Sequence, residues 1–358
     1  MRAILGEHTD AVLARVLGLD RFAPPHEQGS SHGQTRIIRE AYFEDPVYVP
    51  LVRRAYELWD ELARASGRDV LRVTGGLMIG RPDSVIVAGS RRSAEEHGLP
   101  HEVLDAAAVR RRFPALRPAG EMIAVLEPRA GILQPHECIA AHLELAGRHG
   151  AELRFDEPLL RWAPDGEGVR VETARGACTA RRLVLTAGAW VAQLLPGVAV
   201  PFQVERQVLH WFQAINPAEF TPERCPVHLW QFDGMRFFYG FPDEGAGVKV
   251  AFHHDGETTT ADTVRREVAE AEVEAMRQVL RRFIPGANGA LRSSVVCVYT
   301  NTPDEHFWID RHPGHPQVIV GSPCSGHGFK FSAAVGEVLA DLAQDAAPRV
   351  DLGRFRWR

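Results

Sequence analysis

The sequence predicts an α/β (α+β) fold with two parts: one part is built from separated segments, and a β-rich part is inserted between them. Near the N-terminus, RVLGLD (15–20) predicts a short apolar strand that ends in an acid. At the C-terminus, QVIVGSPCSGHGFKFSAAVGEVLADLAQD predicts a strand, a glycine-rich turn and an amphipathic helix. From residue 201 onward the pattern is mostly that of β-strands. An acid after an early strand and a strand–glycine turn–helix are both typical of nucleotide-binding units.

Bulk composition narrows the function classes. With 358 residues and 45% apolar content, the chain can bury one large core or two domains. A net charge of −5 gives no general attraction to nucleic acid or anionic lipid, so we expect neither as a partner. Glycines and prolines divide the uncharged run 183–204 into a strand, a turn and a short helix, which argues against a membrane span. Five scattered cysteines and a start without a signal-like apolar core favour a cytoplasmic protein.

Hydrophobic periodicity predicts the main elements. We expect a nucleotide-binding domain from 1–70, 135–200 and 300–358, and a substrate domain from 71–134 and 201–299. The predicted helices cover 45–66, 93–102, 106–113, 135–149 and 261–283. The predicted strands cover 71–79, 151–155, 169–173, 182–186, 204–213, 235–242, 247–253 and 293–300.

The segment GSPCSGHGFKF (321–331) is the most informative local motif. Its glycines let a backbone come close to a planar or phosphorylated ligand, and Lys330 adds a cation beside the turn. A tight turn with a solvated lysine explains the local pattern equally well.

Three other cations are candidates for binding. Arg36 and Arg39 stand three residues apart, so in a helix they would share a face and could clamp a carboxylate or phosphate. A solvated basic face is the commoner meaning of such a pair. Lys249 alternates with its valine neighbours and lies on the same side of its strand as His253. If that side lines a cavity, the buried ammonium becomes a functional candidate.

The cysteines and histidines give weaker signals. Cys297 is by default a small core residue. Neither His253-His254-Asp255 nor the pair His312 and His315 offers the three or four spaced ligands of a metal site, so we predict no metal.

The order of several motifs is more specific than any one of them. PPHEQGSSHGQTRIIREAY, FYGFP, VKVAFH, VVCVYTNTPDEHFWID and SGHGFKFS follow one another from about residue 15 nearly to the end. In this order and at these spacings the chain closely resembles the monomeric sarcosine oxidase family of flavin amine oxidases, which includes N-methyltryptophan oxidase. The family belongs to the D-amino acid oxidase-like superfamily. The resemblance implies a Rossmann-like FAD-binding domain with an inserted β-sheet substrate domain.

The resemblance also implies roles for particular residues. Cys297 would bond covalently to FAD, and Lys249 would lie over the flavin and activate O2. Arg39 and Lys330 would hold the substrate carboxylate. Arg36 and His32 would lie near the flavin ring, His253, Tyr239 and Tyr299 would line the substrate pocket, and Asp20, Thr35, Leu159, Gly188, Gly326, His327, Gly328, Phe329 and Lys330 would complete the cofactor site.

The implied reaction is oxidation of an N-methyl-L-amino acid by a monomeric enzyme. The imine product would hydrolyse to formaldehyde and an amino acid, and O2 would become H2O2. The chain departs from the family at its start, because MRAILGEHTDAVLA contains one glycine, Gly6, and no G-x-G-x-x-G. A helix-like HTDAVLARV stands there instead, so the predicted sheet lacks its first strand. Three alternatives stay open: a mis-assigned start or frame, a non-catalytic relative that cannot hold FAD, and an oxidase of a cyclic imino acid such as pipecolate or proline.

Overall fold

A computed structural model describes residues 15–198 and 201–357. Gly6 and most of the helix-like HTDAVLARV lie outside the described residues. The strands and α-helices are numbered in chain order. The strands are β1 (Leu17–Leu19), β2 (Arg36–Ile38), β3 (Leu71–Val73), β4 (Gly76–Gly80), β5 (Glu102–Asp105), β6 (Ile123–Glu127), β7 (Gly131–Leu133), β8 (Glu152–Arg154), β9 (Arg161–Asp165), β10 (Gly168–Thr173), β11 (Gly176–Ala180), β12 (Leu183–Leu185), β13 (Gln203–Phe212), β14 (Val227–Asp233), β15 (Arg236–Asp243), β16 (Val248–His253), β17 (Thr258–Thr259), β18 (Leu291–Asn301), β19 (Trp308–His312) and β20 (His315–Ser322). The helices are α1 (Val49–Ser66), α2 (Val85–Glu96), α3 (Ala106–Arg112), α4 (Pro135–Arg148), α5 (Glu270–Phe283) and α6 (Ser332–Ala343).

A nine-stranded mixed sheet carries most of the β-structure. Its strands run β17-β13-β16-β15-β14-β4-β6-β5, and β18 pairs with β13. Residues directly opposite one another in antiparallel strands point to the same face. Since Glu205 lies opposite Tyr299, Gln207 opposite Cys297 and Trp211 opposite Lys249, all six side chains share one face. We call this the site face of the sheet.

The opposite face of the large sheet packs against α5. Apolar residues of the helix, including Met276, Leu280 and Phe283, form one core with Trp230 and Phe238 of the sheet. The rings of Trp230 and Phe238 stack at 5.4 Å. Helix α5 therefore covers the face opposite the site face, and other segments of the chain pack on the site face.

The part predicted to bind a nucleotide is built from small parallel strand pairs. β1 pairs in parallel with β8, and β12 pairs in parallel with β20, which continues to β19. Leu19 and Leu185 pack into the same apolar cluster, together with the β9–β10–β11 meander. Within the described residues β1 has no partner strand other than β8, and β12 none other than β20. The predicted α/β fold class is confirmed, while the domain boundaries stay a prediction.

Helix α1 joins α4 and α6 in a third core. Its residues Leu51, Ala55, Leu58 and Leu62, spaced three or four apart along one side of the helix, are all buried. The helix ends at Gly67, whose φ of 70° is the left-handed conformation common at helix C-termini.

Four predictions of local structure are wrong in detail. The helix predicted over 93–102 is instead the end of α2 followed by β5, because Gly98, with φ of 59°, and a following proline stop the helix. The strand predicted over 71–79 is split into β3 and β4 at Gly75, whose φ is 73°. The helix predicted over 261–283 begins only at Glu270. Arg36 lies in a strand paired with β7, so Arg36 and Arg39 do not share a helix face.

Candidate active site

Lys249 lies on the site face, and it is one of only two lysines in the chain. Its Nζ donates hydrogen bonds to the carbonyl oxygens of Gly33 and Thr35, each at 2.7 Å, and to the Thr35 hydroxyl at 3.0 Å. The ring of Phe241 lies 4.5 Å away. Burial and the nearby Arg36 lower the pKa of Lys249. Its three oxygen partners and the ring of Phe241 are groups that bind a charged ammonium. The lysine is therefore a fixed donor with no freedom to reach solvent.

Cys297, on the same face, is next to Arg36. A guanidinium nitrogen of Arg36 lies 3.6 Å from the Cys297 sulfur, and the same nitrogen donates to the Ser30 carbonyl at 2.6 Å. His32 is buried, yet neither of its ring nitrogens has a hydrogen-bond partner among the described residues. Burial first, and then Arg36, lowers the pKa of His32 to about 3. A buried neutral imidazole without partners is suited to bind a ligand that the protein does not itself supply.

His253 and Tyr299 form a neutral polar pair on the site face. The His253 Nδ1 and the Tyr299 hydroxyl are 3.1 Å apart. Burial lowers the pKa of His253 well below its usual value and raises that of Tyr299. Tyr239 lies on the adjacent strand, with its ring 6.3 Å from that of His253. The prediction that Lys249 and His253 share one side of their strand is confirmed by this arrangement.

A second pair of cations surrounds the ring of Tyr42. The Arg39 guanidinium lies 4.1 Å from the ring centroid and the Lys330 Nζ lies 5.2 Å from it. Arg39 donates to both carboxylate oxygens of Glu44, at 2.6 and 2.7 Å. Lys330 instead donates to the His327 carbonyl and to the Tyr42 hydroxyl, which are both uncharged. Arg39 is thus paired with a carboxylate, whereas the ammonium group of Lys330 is held by uncharged acceptors.

Titration of Lys330 is shifted strongly by this setting. Burial, followed by the charge of Arg39, lowers its pKa to about 7. Burial would raise the pKa of Glu44, but Arg39, His327 and Lys330 together lower it. Lys330 is buried, so the solvated-lysine interpretation of its motif is wrong.

The glycine-rich turn before α6 closes the pocket. Gly326 has φ of 77°, and a Cβ there would lie 2.6 Å from the Tyr299 ring and 3.0 Å from that of His253. A Cβ at Gly328 would overlap the Pro323 carbonyl oxygen. The next residue, Phe329, stacks on Trp59 at 6.2 Å. Only glycine therefore lets the turn approach the site face this closely.

His327 anchors the same turn. Its Nε2 lies 3.0 Å from the Glu305 carbonyl, so Nε2–H donates and Nδ1 accepts from the Tyr42 hydroxyl at 2.6 Å. Burial lowers the pKa of His327 to about 3, in agreement with a neutral ring.

Buried acids position the cationic segment, and sequence reasoning missed them. Glu127, at the end of β6, accepts from the backbone nitrogens of Glu40 and Ala41 at 2.6 and 2.8 Å. Burial raises the pKa of Glu127 to about 7. The spacing of Arg39 and Glu44 in REAYFE could have indicated their ion pair, but nothing in the sequence links Glu127 to residues about ninety positions earlier.

The nucleotide end is more open than the pocket. Asp20 accepts from the Phe22 nitrogen at 2.9 Å, and its side chain is 39% exposed. Gly188 has φ of 54°, and no atom lies within 4 Å of the position that a Cβ would take there. Leu159 packs against the apolar cluster that contains Leu19 and Leu185. The residues at the flavin end, above all the unpartnered His32, fit a flavin nucleotide. The pyrophosphate end lacks the fingerprint loop in this sequence.

Two absences among the described residues bear on function. No group of three or more His, Cys, Asp or Glu side chains is arranged there to hold a metal ion. None of the helices within residues 15–198 and 201–357 has the length and apolar character needed to cross a bilayer.

Comparisons with known proteins give a consistent result. The family described as "DAO: FAD dependent oxidoreductase" matches residues 10–342. Monomeric sarcosine oxidase of Streptomyces avermitilis is 49% identical over 99% of this chain and 94% of its own length. N-methyl-L-tryptophan oxidase of Salmonella arizonae is 37% identical over 99% of this chain and 95% of its own. The resemblance predicted from the motifs is confirmed.

Solved structures support the same fold. The open form of NikD, an unusual amino acid oxidase essential for nikkomycin biosynthesis, superimposes with a TM-score of 0.83 at 23% identity, over 96% of this chain and 91% of that one. L-proline dehydrogenase from P. horikoshii gives a TM-score of 0.82 at 18% identity, over 96% of both chains. At these identities the likeness concerns the fold.

Proposed function

Because this chain belongs to the DAO family of FAD-dependent oxidoreductases, we propose that it oxidises an N-methyl-L-amino acid of the sarcosine or N-methyltryptophan type. The substrate, O2 and water would give an amino acid, formaldehyde and H2O2. This balances, since one C–H bond of the N-methyl group and the N–H bond together give up two electrons and two protons, which convert O2 to H2O2, and water then adds to the imine.

One observation carries the proposal most directly. Arg39 and Lys330 are buried around Tyr42, where Arg39 pairs with the carboxylate of Glu44 and Lys330 donates to uncharged oxygen atoms. A substrate carboxylate in this dry site would balance the second positive charge and accept charge-assisted hydrogen bonds. An α-amino acid binds with its carboxylate as an anion, so the pocket has the charge that such a substrate needs.

The amine would bind beside neutral groups. His253 stays uncharged because burial and its cationic neighbours lower its pKa, and Tyr299 stays protonated. A neutral imidazole next to two cations disfavours a protonated amine and favours the free base. The lone pair of the free base is what the oxidation requires, so no side chain need act as a strong base. Tyr239 would close the pocket on the adjacent strand.

FAD, when bound, accepts the hydride equivalent of the substrate and passes the electrons to O2. Cys297 would bind FAD covalently. Arg36 and His32 would lie beside the flavin ring, and Thr35 would lie next to Lys249. Arg36 is within hydrogen-bond distance of the Cys297 sulfur, so the two side chains that would flank the flavin are already in contact. Lys249 would stabilise negative charge that develops on O2, because its Nζ is fixed by three oxygen atoms.

The remainder of the cofactor would follow the open end of the molecule. Asp20 would bind the ribose, Gly188 would pass close to the pyrophosphate, and the Leu159 backbone would contact adenine. The backbone from Gly326 to Lys330 would lie against the ring. This arrangement assigns the FAD-binding role to 1–70, 135–200 and 300–358, and the substrate role to 71–134 and 201–299. We also propose a cytoplasmic monomer, in keeping with scattered cysteines and the name of the sarcosine oxidase relatives.

A peroxide assay on purified protein tests the proposal. Sarcosine, N-methyl-L-tryptophan and pipecolate are supplied in turn, and H2O2 and formaldehyde are measured. We expect equal amounts of both products with an N-methyl amino acid. Peroxide without formaldehyde, obtained only with pipecolate, would assign a cyclic imino acid instead. A colourless protein that forms neither product would identify a non-catalytic relative.

A further inference from the structure

The segment 260–269 links β17 to α5 and lies where the first part of the helix predicted over 261–283 does not form. We call it the clasp loop. The buried Arg206 on β13 donates to two of its carbonyl oxygens, that of Arg265 at 2.7 Å and that of Glu267 at 2.8 Å. The end of the clasp loop near α5 is therefore attached to the large sheet.

Nearer its start, the clasp loop contacts two segments that lie far apart in the sequence. One carboxylate oxygen of Asp262 accepts from the Trp190 Nε1 at 2.9 Å and from a guanidinium nitrogen of Arg21 at 3.1 Å. The other oxygen accepts from the side-chain amide of Gln193 at 2.7 Å. Trp190 and Gln193 belong to the short helical turn Gly188–Leu194. Asp262 therefore connects that turn to the segment that follows β1.

Ring and apolar contacts surround this carboxylate. The Arg21 guanidinium lies 5.4 Å from the centroid of the Trp190 ring, and the Phe22 ring lies 5.6 Å from the same ring. Ala261 and Val264 of the clasp loop belong to one apolar cluster with Trp190. An exposed ion pair alone stabilises a protein little, but here the carboxylate has three donors and lies beside a packed contact.

Arg266 joins the clasp loop to a second part of the N-terminal segment. Its guanidinium donates to the carbonyl oxygens of Gln28 at 2.7 Å and Val296 at 3.0 Å. A third bond, at 3.2 Å, goes to the carbonyl oxygen of Glu27. Val296 immediately precedes Cys297 on β18. Arg266 therefore ties residues 27–28 to the strand that carries the cysteine of the proposed covalent link.

We propose that the clasp loop is a positioning element for the cofactor. Through Asp262 it holds residues 20–22 against the helical turn that begins at Gly188. Through Arg266 it holds residues 27–28 against β18. The clasp loop acts through the segments that it holds and does not itself touch a reacting atom.

The inference rests on the proposed function, in which Asp20 binds the ribose and Gly188 passes close to the pyrophosphate. Without the contacts of Asp262, both segments keep their ligand-binding groups, but nothing from the clasp loop fixes their separation. A bound FAD would then have to order the two segments itself, which lowers its affinity. We therefore expect faster release of FAD when the clasp loop loses these contacts.

The test uses full-length variants that all carry Cys297→Ser, so that release of FAD can be measured. Asp262→Ala removes the acceptor of three donors, and Arg266→Met removes three hydrogen bonds to carbonyl oxygens. Arg266→Lys keeps the charge and one donor group, but not the planar fork of the guanidinium. Asp83→Ala is the control, because Asp83 is an exposed carboxylate whose partner is Arg81, at 3.6 Å.

Two measurements are made on each variant after it is loaded with FAD. Flavin recovered in the filtrate after dilution gives the rate of release, and amide hydrogen exchange reports on residues 21–30 and 189–193. We expect release to be about tenfold faster in Asp262→Ala and in Arg266→Met, as loss of hydrogen bonds to a charged group predicts. Arg266→Lys should lie between Arg266→Met and the parent chain, and Asp83→Ala should match the parent.

Exchange should rise in different places in the two main variants. In Asp262→Ala it should rise at residues 21–23 and 189–193, and in Arg266→Met at residues 27–30. Unchanged exchange in these segments would overturn the proposal. Faster exchange with an unchanged rate of FAD release would also overturn it, because the clasp loop would then have a structural role only.

Failure of the proposed function would look different. A chain with Cys297 intact that holds no flavin would contradict the proposed function. In that case, hydrogen exchange in the flavin-free chain and its Asp262→Ala variant would still decide whether the clasp loop holds the two segments.

Discussion

The substrate side and the nucleotide side of this molecule are built in different ways. On the substrate side, Lys249 has three oxygen partners and Arg39 a bidentate one, all at 3.0 Å or less. On the nucleotide side, Asp20 is partly exposed and Gly188 faces open space. Within the described residues, strands β1 and β12 each have a neighbouring strand on one edge only. The predicted substrate pocket is therefore held by short contacts within the protein, whereas the predicted nucleotide end is more open.

Alanine substitutions at Gly328 and Gly188 give the strongest test of this difference between the two regions. Gly328→Ala places a methyl group on the Pro323 carbonyl oxygen, so we expect a loss of about 3 kcal/mol or more in the free energy of unfolding. Gly188→Ala meets no atom and suffers only from its positive φ, which costs about 1–2 kcal/mol. Urea unfolding of both variants measures the difference. Equal losses would mean that the turn is no more tightly packed than the nucleotide end.

Replacement of Cys297 tests whether FAD is attached through a covalent bond on the substrate side. In Cys297→Ser the flavin should dissociate completely on acid precipitation, because acid unfolds the protein and only a covalent bond keeps the flavin in the pellet. Absorbance of the supernatant at the flavin wavelengths measures this. Cys178→Ser on β11, far along the chain from the pocket strands, is the matched control and should keep its flavin in the pellet. Flavin that stays bound to Cys297→Ser would remove Cys297 from this role.

In the proposed function, Lys249 acts on O2 and Lys330 on the substrate carboxylate. Lys249→Met should slow reoxidation by O2 about a hundredfold or more, as loss of a preorganised charge in a dry site predicts, and should affect reduction by substrate much less. Stopped-flow measurement of the two half-reactions tests this. Lys330→Met is the comparison variant, in which substrate affinity should fall while reoxidation is preserved. A similar slowing of both half-reactions in Lys249→Met would contradict the assignment.

The smallest expected effect is the pH dependence of carboxylate binding. The pKa of Lys330 is lowered to about 7, so its ammonium is present below that pH and is lost above it. Affinity for methoxyacetate, which has a carboxylate but no amine, should fall up to about tenfold per pH unit above the pKa. Calorimetry at several pH values measures the slope. In Lys330→Met the affinity should be low and independent of this titration, and an unchanged slope there would assign the effect to another group.

Sequence reasoning reached the fold class and the common face of Lys249 and His253, but not the contacts that hold the segment of Arg39. Strand alternation correctly placed Lys249 and His253 on one face, because a period of two residues is a local property. The geometry of Arg39 was not accessible in the same way. Its segment is extended rather than helical, and it is fixed by Glu127, whose distance in sequence leaves no local pattern. Long-range hydrogen bonds to buried acids are the part that periodicity cannot predict.

The central claim is that this chain holds a flavin and reduces it with an N-methyl amino acid. The most direct measurement is the absorbance spectrum of the purified protein before and after anaerobic addition of sarcosine or N-methyl-L-tryptophan. We expect a yellow protein whose flavin band bleaches with one of these substrates and returns when O2 is admitted. A colourless protein, or a flavin band that neither substrate bleaches, would contradict the claim.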